Sequence, residues 1–184
     1  MYSGELIRLR ELRAGDAPLF REWLSDADTA RRLYGGGPVP YTLGEEEDFV
    51  RRFGGHHADE CHFAVETLDG RLLGVCSYTE ADWVSRRCML GWFIGEPAMR
   101  GRGYGSDMIR VLLKLCFDEL DMHKVSLYVF GYNAEAIRLY ERLGFVREGA
   151  RRSAVYSMGR RWDEIRYSML RGEYAALYGG ESHV

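Results

Sequence analysis

The amino-acid sequence predicts a mixed α/β (α+β) fold, in which one sheet carries helices on its faces. Segments with alternating apolar and polar residues, typical of strands, are interspersed with segments whose apolar residues recur at helical spacing. The predicted order is β-α-α-α-β-β-β-α-β-α-β-β, which is that of a mixed sheet flanked by helices. The chain has 184 residues and a typical domain about 150, so we expect one domain over residues 1–184.

The N-terminal part of the chain is predicted to contain one strand and three helices. Alternation in Glu5–Arg10 indicates the strand. Asp16 is a candidate N-cap for the first helix, and a second short helix is expected at Asp26–Leu33. The segment Thr42–Phe53 opens with a capping box and predicts the third helix.

The middle of the chain is predicted to form three strands, at His62–Thr67, Leu72–Thr79 and Cys88–Ile94. The dipeptide Asp69-Gly70 lies between the first two, and Asp-Gly is a strong signal for a tight hairpin turn. We therefore expect the first two strands to pair as a hairpin.

The C-terminal part is predicted to alternate between helices and strands. Gly144 follows a run of helical spacing, so we expect it to end that helix as its C-cap. The elements are, in order, a helix at Met108–Leu120, a strand at Val125–Phe130, a helix at Asn133–Leu143, a strand beginning at Phe145-Val146 and a strand at Trp162–Leu170.

The composition disfavours several classes of protein. Lys and Arg number 25 and Asp and Glu 28, a net charge of −3 that gives no support for a nucleic-acid-binding or polybasic membrane protein. The N-terminus lacks the apolar region of a signal peptide, and no apolar run approaches the ~20 residues of a membrane helix. The four cysteines form no close pair typical of zinc or redox sites. We expect a soluble, cytoplasmic protein with reduced thiols that binds neither nucleic acid nor membrane.

The most informative segment is the glycine-rich stretch Ile94–Ser106, between a predicted strand and a helix. Gly101, Gly103 and Gly105 allow backbone N–H groups to approach a ligand closely. The helix that follows directs further unpaired N–H groups and a partial positive charge to the same place, and two arginines in the stretch add formal charge. The segment therefore predicts an anion site, best suited to a pyrophosphate.

Three nucleotide-binding patterns compete for this segment. A Walker loop requires G-x-x-x-x-G-K-[ST], which the sequence does not contain. A Rossmann fingerprint requires G-x-G-x-x-G in a first βα unit, whereas these glycines alternate and lie beyond mid-chain, which disfavours a dinucleotide-dependent oxidoreductase. The third pattern, R-x-x-G-x-G, is filled by Arg100, Gly103 and Gly105.

This third pattern is that of the pyrophosphate loop in the GNAT superfamily of N-acetyltransferases, which the sequence resembles. A second block, Asn133–Phe145, is similar to the N-x-x-A-x-x-x-Y-x-x-x-G-F signature that follows in the same superfamily. The resemblance covers essentially the whole chain. It is strongest to the RimJ/RimL branch, which includes N-terminal acetyltransferases of ribosomal proteins and is similar to spermidine acetyltransferases.

The resemblance implies a GNAT fold, whose mostly antiparallel central sheet is splayed in the middle to admit CoA, and acetyl-CoA as co-substrate. The strand around Trp92–Ile94 should diverge from its neighbour near Lys124–Phe130, so that pantetheine lies in the gap as an added strand would. The residues that the resemblance and the anion site assign to cofactor binding are Phe93, Ile94, Arg100, Gly101, Arg102, Gly103, Tyr104, Gly105, Ser106, Asn133 and Ala136.

The implied reaction is direct attack of an amine on the acetyl thioester, without a covalent enzyme intermediate. Tyr140 occupies the family position of a hydroxyl near the CoA sulfur, and a Tyr within hydrogen-bond reach can protonate the departing thiolate. Glu80 is the candidate base, acting directly or through water, with a solvated turn as the equal alternative. His62 is a weaker candidate, and His56-His57 lacks a third ligand, so we expect no metal.

The acceptor is left open between a protein N-terminus, a polyamine and another small amine such as an aminoglycoside. Its choice is expected to depend on four segments: Gly35–Pro40, Thr42–Phe53, Glu80–Arg87 and Ser153–Arg161. An acyl-CoA-binding module without turnover is the alternative from a different class. Tyr and Trp residues near the C-terminus, expected to be exposed, favour a homodimer.

Overall fold

Seven strands form one sheet in the computed structural model, which describes residues 2–35, 41–55 and 57–179. The strand order is β1-β2-β3-β4-β5-β7-β6, and every neighbouring pair is antiparallel except β4 and β5. The strands are β1 (Ile7–Arg10), β2 (Cys61–Thr67), β3 (Leu72–Asp82), β4 (Arg87–Ile94), β5 (Lys124–Phe130), β6 (Val146–Ser157) and β7 (Arg160–Leu170). The predicted mixed, mostly antiparallel sheet is confirmed.

The described residues form six α-helices, of which the sequence analysis predicted five. They are α1 (Ala17–Ser25), α2 (Ala27–Tyr34), α3 (Leu43–Phe53), α4 (Tyr104–Lys114), α5 (Ala134–Arg142) and α6 (Arg171–Tyr178). The unpredicted helix, α6, buries only Tyr174, so its sequence carries little of the periodic apolar pattern on which such predictions depend. None of the helices in these described ranges has both the length and the apolar character needed to cross a membrane.

Helices cover both faces of the sheet. Neighbouring residues of a strand point to opposite faces, and in β2 Val65 packs in a core with α4 and α5 while Ala64 packs in a second core with α1 and α3. The larger core contains Met108, Leu112 and Leu127, all at most 1% exposed. The sheet is thus a partition with α4 and α5 on one side and α1 and α3 on the other.

Helix starts follow the capping chemistry of the sequence in two cases out of three. Thr42 and Glu45 form the predicted capping box, in which each side chain accepts a hydrogen bond from the other's backbone N–H. Asn133 caps α5 by accepting from the Ala136 N–H at 3.2 Å. Asp16 is the N-cap residue of α1, as predicted, but its carboxylate makes no capping hydrogen bond and accepts from both terminal nitrogens of Arg10 at 2.8 Å instead.

The helix predicted over Met108–Leu120 changes its winding before its end. The α-helix stops at Lys114 and continues as a π-helical turn over Leu115–Glu119, where the Leu120 N–H donates to the Leu115 carbonyl. The wider turn buries the three consecutive residues Leu115, Cys116 and Phe117. The C-cap of α5 is Leu143 rather than the predicted Gly144, and Gly144 follows one residue later with a φ of +89°, the left-handed conformation common just after a helix.

The four cysteines are free thiols in the structure, as the sequence analysis expected. Cys88 and Cys116 come closest, with their sulfur atoms 3.7 Å apart. The hydrogen bond from Cys88 and burial hold the pKa of the Cys116 thiol well above its usual range. Burial does the same for the Cys76 thiol, so neither is a reactive thiolate at neutral pH.

The aromatic residues near the C-terminus are mostly packed rather than exposed. Tyr174 is 9% exposed and stacks on Phe117 with ring centroids 4.6 Å apart. The Tyr178 hydroxyl donates to the Leu143 carbonyl at 2.9 Å. Tyr156, at 61% exposed, alone fits the expectation among these three tyrosines, so the surface argument for a homodimer is weaker than the sequence implied.

A buried carboxylate ties the N-terminal segment to α4. Asp107 is 5% exposed and accepts hydrogen bonds from the backbone N–H groups of Glu5, Leu6 and Ile7 at 3.2, 2.7 and 3.1 Å. Replacing Asp107 with Ala is expected to lower the free energy of unfolding by about 3–5 kcal/mol, because it strands three N–H donors that had a charged acceptor. Urea denaturation measures the loss.

The matched control is Asp121→Ala. Asp121 pairs with Arg86 and Arg171 but is 65% exposed, and exposed ion pairs contribute about 0–1 kcal/mol. Equal destabilisation by the two substitutions would contradict the role assigned to Asp107.

Candidate active site

The two parallel strands at the centre of the sheet pair over only three residues. Their register joins Arg87 to Lys124, Cys88 to Val125 and Met89 to Ser126, and no pairing continues beyond. The predicted divergence of β4 from β5 is therefore confirmed. A cavity of about 760 Å³ opens in the gap, lined by Leu90–Ile94 of β4 and 128–130 of β5.

The glycine-rich loop forms one end of this cavity. Gly101 and Gly103 have φ values of +73° and +91°, a backbone region that side chains with a Cβ rarely adopt. Gly103 is the N-cap of α4, and Gly105 lies where a Cβ would come within 3.1 Å of the Trp92 ring. The first turn of α4 thus brings its unpaired N–H groups to the cavity wall, as the anion site requires.

Arg100 lines the cavity, but its guanidinium is bound within the protein. It donates to Asp28 Oδ2 at 3.0 Å, to Thr29 Oγ1 at 2.6 Å and to the Ile94 carbonyl at 3.2 Å. The arginine therefore fastens the loop to α2 and to the end of β4. Its N–H donors are occupied within the protein, and it shares the carboxylate of Asp28 with Arg31 and Arg32, so it is a poorer anion ligand than the sequence pattern alone indicates.

Nine of the eleven predicted cofactor residues line this one cavity, namely Phe93, Ile94, Arg100, Gly101, Gly103, Gly105, Ser106, Asn133 and Ala136. The two exceptions are Arg102 and Tyr104. Arg102 is exposed, and Tyr104 is half-buried against the larger core. A loop of alternating glycines turns these two side chains away from the wall that the glycine backbone forms.

Tyr140 reaches the same cavity from α5 and is 5% exposed. Its hydroxyl oxygen accepts a hydrogen bond from Trp92 Nε1 at 3.0 Å, and the rings meet edge to face. Burial raises the pKa of Tyr140 above its usual range, so the side chain is neutral and carries its proton at pH 7. Because the Trp92 N–H occupies a lone pair, the hydroxyl's own proton is left to donate.

Three cationic side chains and one indole in the cavity wall were missed by the sequence analysis. Arg138 and Arg142 lie four residues apart on one face of α5 and have no ion-pair partner among the described residues. Arg32 approaches from α2, where Asp28 and Glu135 partly neutralise it. The spacing of Arg138 and Arg142 could have been recognised in the sequence, because residues four apart share one face of a helix. The hydrogen bond from Trp92 to Tyr140 could not, because it depends on the contact between β4 and α5.

Glu80 does not line the first cavity. It sits in a β-bulge between Thr79 and Asp82, has a φ of +52° and is exposed. Its side chain lines a second cavity of about 250 Å³, which shares Tyr128 with the first. Bulges near active sites commonly redirect a side chain, and this one directs a carboxylate to the point where β4 and β5 separate.

His62 has partners within the protein. His62 Nε2 lies 3.1 Å from Glu60 Oε2, and the ring packs on Phe53 with centroids 4.5 Å apart. His56 lies outside the described residues. Within the described ranges, no group of three His, Cys, Asp or Glu side chains is placed to hold a metal ion.

A gap between parallel strands, closed by a glycine-rich helix start, suits a ligand that carries amide groups and phosphates, as the resemblance to the GNAT superfamily implies for acetyl-CoA. Residues 7–146 match the profile of the family described as Acetyltransferase (GNAT) domain, and the chain belongs to this family. It is accordingly an N-acetyltransferase that depends on acetyl-CoA.

The relatives include enzymes with two kinds of acceptor in their names. A putative ribosomal N-acetyltransferase, YdaF, from Bacillus subtilis is 29% identical over 92% of this chain and 85% of its own length. A spermidine N(1)-acetyltransferase from Vibrio cholerae is 31% identical over 65% of this chain and 68% of its own length. The crystal structure of spermidine N-acetyltransferase from Vibrio cholerae in complex with CoA and spermine matches with a TM-score of 0.81 and 27% identity, covering 91% of this chain and 97% of that one.

Proposed function

We propose that residues 1–184 form one RimJ/RimL-like N-acetyltransferase domain that transfers the acetyl group of acetyl-CoA directly to a primary amine. The observation that carries the mechanism is the neutral, buried Tyr140 hydroxyl, which lines the gap between β4 and β5 with its proton free to donate. The relatives' names favour a protein N-terminus or a polyamine as acceptor.

Different parts of the cavity wall suit different parts of acetyl-CoA. The unpaired edge of β4 near Trp92 and Phe93 can pair with the amide groups of pantetheine. The N-terminus of α4 at Gly103 and the unpaired cations Arg138 and Arg142 suit the phosphates.

The reaction combines the formation of a C–N bond and the cleavage of a C–S bond with two proton transfers. The amine nitrogen attacks the thioester carbon, the new C–N bond forms, and the C–S bond breaks so that CoA leaves as a thiolate. Tyr140 gives its proton to this sulfur, and Glu80 or a water beside it takes the proton that the amine loses. Tyr140 then recovers a proton from solvent.

The need for a base depends on the acceptor. An alkyl amine with a pKa of ~10.4 costs roughly 4.6 kcal/mol to deprotonate at pH 7, whereas an α-amine with a pKa of ~7.8 costs about 1 kcal/mol. Carboxylates as a class are weak bases compared with alkyl amines. A base of this kind is therefore better matched to an α-amine than to a polyamine.

The proposed function is tested by an acetyl-transfer assay over N-terminal peptides, polyamines and amino-sugars, with calorimetric binding of acetyl-CoA measured in parallel. Transfer to at least one amine class supports the proposal. Tight binding of acetyl-CoA without transfer to any amine would instead identify an acyl-CoA-binding module.

Replacing Glu80 with Gln is expected to lower kcat/KM near pH 7 by about 100-fold, the lower end of what a general base contributes. The loss should shrink toward pH 9, because solvent then deprotonates an α-amine without help. Glu22→Gln, an exposed carboxylate on α1 outside both cavities, is the control. A loss of the same size at every pH would contradict the base role.

A further inference from the structure

The second cavity lies on the sheet face opposite α4 and α5. In β5, Val125 and Leu127 point into the larger core, so Ser126 and Tyr128 point to the other face, and both line this cavity. Met89 and Ser126 form the last paired rung of β4 and β5. The cavity therefore adjoins the point where the gap begins, and the shared Tyr128 connects it with the first cavity.

The ionic groups around this cavity are unevenly placed. Its wall contains one carboxylate, from Glu80, and three cationic side chains, from Arg87, Lys124 and Arg166. Glu80 has no ion pair or hydrogen bond among the described residues. The cations have two carboxylates between them, because Asp82 pairs with Arg87 while Glu148 serves both Lys124 and Arg166.

Arg166 is the least satisfied of these cations. Its Nε is buried and lies 3.3 Å from Glu148 Oε2 without the alignment of a hydrogen bond. Its guanidinium carbon is 5.3 Å from the centre of the Tyr128 ring, the residue common to both cavities. Arg166 therefore has an N–H donor without a hydrogen-bond partner among the described residues, and it lies beside the residue that the two cavities share.

We propose that this cavity binds an acceptor that carries a carboxylate close to its amine, an amino acid or a short peptide with an acidic side chain. This inference rests on the proposed function. When Glu80 interacts with the acceptor's amine, three cations and two carboxylates, those of Asp82 and Glu148, remain around the cavity. The remaining single positive charge is neutralised by a carboxylate on the acceptor. A zwitterion therefore complements both ends of the cavity.

A polyamine is the wrong charge for this arrangement, although spermidine names several of the relatives. Spermidine carries about three positive charges at pH 7, since its amines have pKa values far above neutrality. Glu80 is the one unpaired carboxylate on this wall, and the remaining charges would face Arg87 and Arg166. Like charges placed opposite each other are a standard means of excluding a wrong partner.

The experiment compares matched acceptors with the full-length protein and saturating acetyl-CoA. The C-terminal amides of the dipeptides Gly-Glu, Gly-Gln and Gly-Lys present the same α-amine with an anionic, neutral or cationic neighbour, because amidation removes the carboxylate that each free dipeptide would carry. Spermidine is the fourth acceptor. We expect kcat/KM to fall in the order Gly-Glu, Gly-Gln, Gly-Lys, with about tenfold between the first and third, and spermidine to be slowest.

The variant that tests the cavity is Arg87→Gln, whose side chain is 61% exposed and whose loss should leave the fold intact. It should lower kcat/KM for Gly-Glu about fivefold more than for Gly-Gln, the contribution of a partly exposed ion pair to the carboxylate. Arg86→Gln removes the neighbouring cation, which pairs with Asp121 outside the cavity, and should change neither.

Each outcome decides the proposal. Preference for Gly-Glu that Arg87→Gln abolishes and Arg86→Gln preserves supports it. Faster transfer to spermidine or Gly-Lys, or equal effects of the two variants, overturns the acceptor class while leaving N-acetyltransfer established. Absence of transfer to all four acceptors and to the wider amine panel overturns the proposed function, and the acceptor class with it.

Discussion

Replacing Gly103 with Asp is expected to weaken the binding of acetyl-CoA by about 100-fold or more, equivalent to roughly 2.7 kcal/mol. Gly103 is the N-cap of α4 and lines the larger cavity, so the new carboxylate would stand where the phosphates of CoA are expected. It would pair with the helix N-terminus and repel the ligand, replacing an attraction by a repulsion. Isothermal titration calorimetry gives the affinity directly.

The control for this substitution is Gly103→Asn, which has the same size and no charge. Both side chains meet the same backbone strain at a φ of +91° and the same contact with Leu6 Cδ1, at 3.3 Å from the added Cβ. Asn and Asp both tolerate this left-handed region better than other residues. If the two variants lose the same affinity, backbone geometry rather than an anion site explains the loss.

Local sequence signals predicted the elements that local chemistry determines. The capping box of Thr42 and Glu45, the Asp69-Gly70 turn and the helix cap of Asn133 each involve groups within a few residues, and each appears in the structure. Asp16 shows where this reasoning fails. Its position is right for a cap, but Arg10 competes for the carboxylate with two charge-assisted hydrogen bonds.

The features of the candidate active site also differ in whether local sequence could predict them. Positive φ values at Gly101 and Gly103 are properties of the loop itself, so the glycine pattern predicted this end of the cavity. The partners of Arg100 lie 71 and 72 residues away on α2, and Trp92 lies 48 residues from Tyr140. No periodicity or motif in the sequence indicates such long-range contacts. They determine whether an arginine is available to a ligand and how the Tyr140 hydroxyl is oriented.

The second cavity is formed by the register of neighbouring strands, which brings residues of β3, β4 and β5 together. Arg87 and Lys124 meet because β4 and β5 are parallel for three residues, and Glu80 joins them because β3 bulges before Asp82. A shift of one residue would turn the same side chains to the opposite face. Of the four segments expected to select the acceptor, only Glu80–Arg87 contributes to this cavity, and residues 36–40 lie outside the described part of the chain.

Replacing Tyr140 with Phe is expected to lower kcat by about 10²–10⁴-fold, or roughly 3–5 kcal/mol in the barrier, with little change in acetyl-CoA affinity. The loss falls on kcat because the hydroxyl gains its interaction as the sulfur becomes a thiolate, in the transition state rather than in the bound ground state. Stability should fall by about 1–2 kcal/mol, since the Trp92 indole N–H loses its acceptor.

Two comparisons separate a proton donor from a packed ring. Tyr167→Phe removes a hydroxyl from a neighbouring buried ring, 6.1 Å from Tyr140, that bonds to Glu141 and does not line the cavity, so kcat should stay within a few-fold of the parent. Burial holds the pKa of Tyr140 above its usual range, so the hydroxyl stays protonated through neutral pH and the defect of Tyr140→Phe should persist from about pH 6 to 9. The defect of Glu80→Gln should instead fade as pH rises. If Tyr140→Phe left kcat no lower than Tyr167→Phe on the fastest acceptor, the proton for the thiolate would have to come from water, and Tyr140 would be a packing residue.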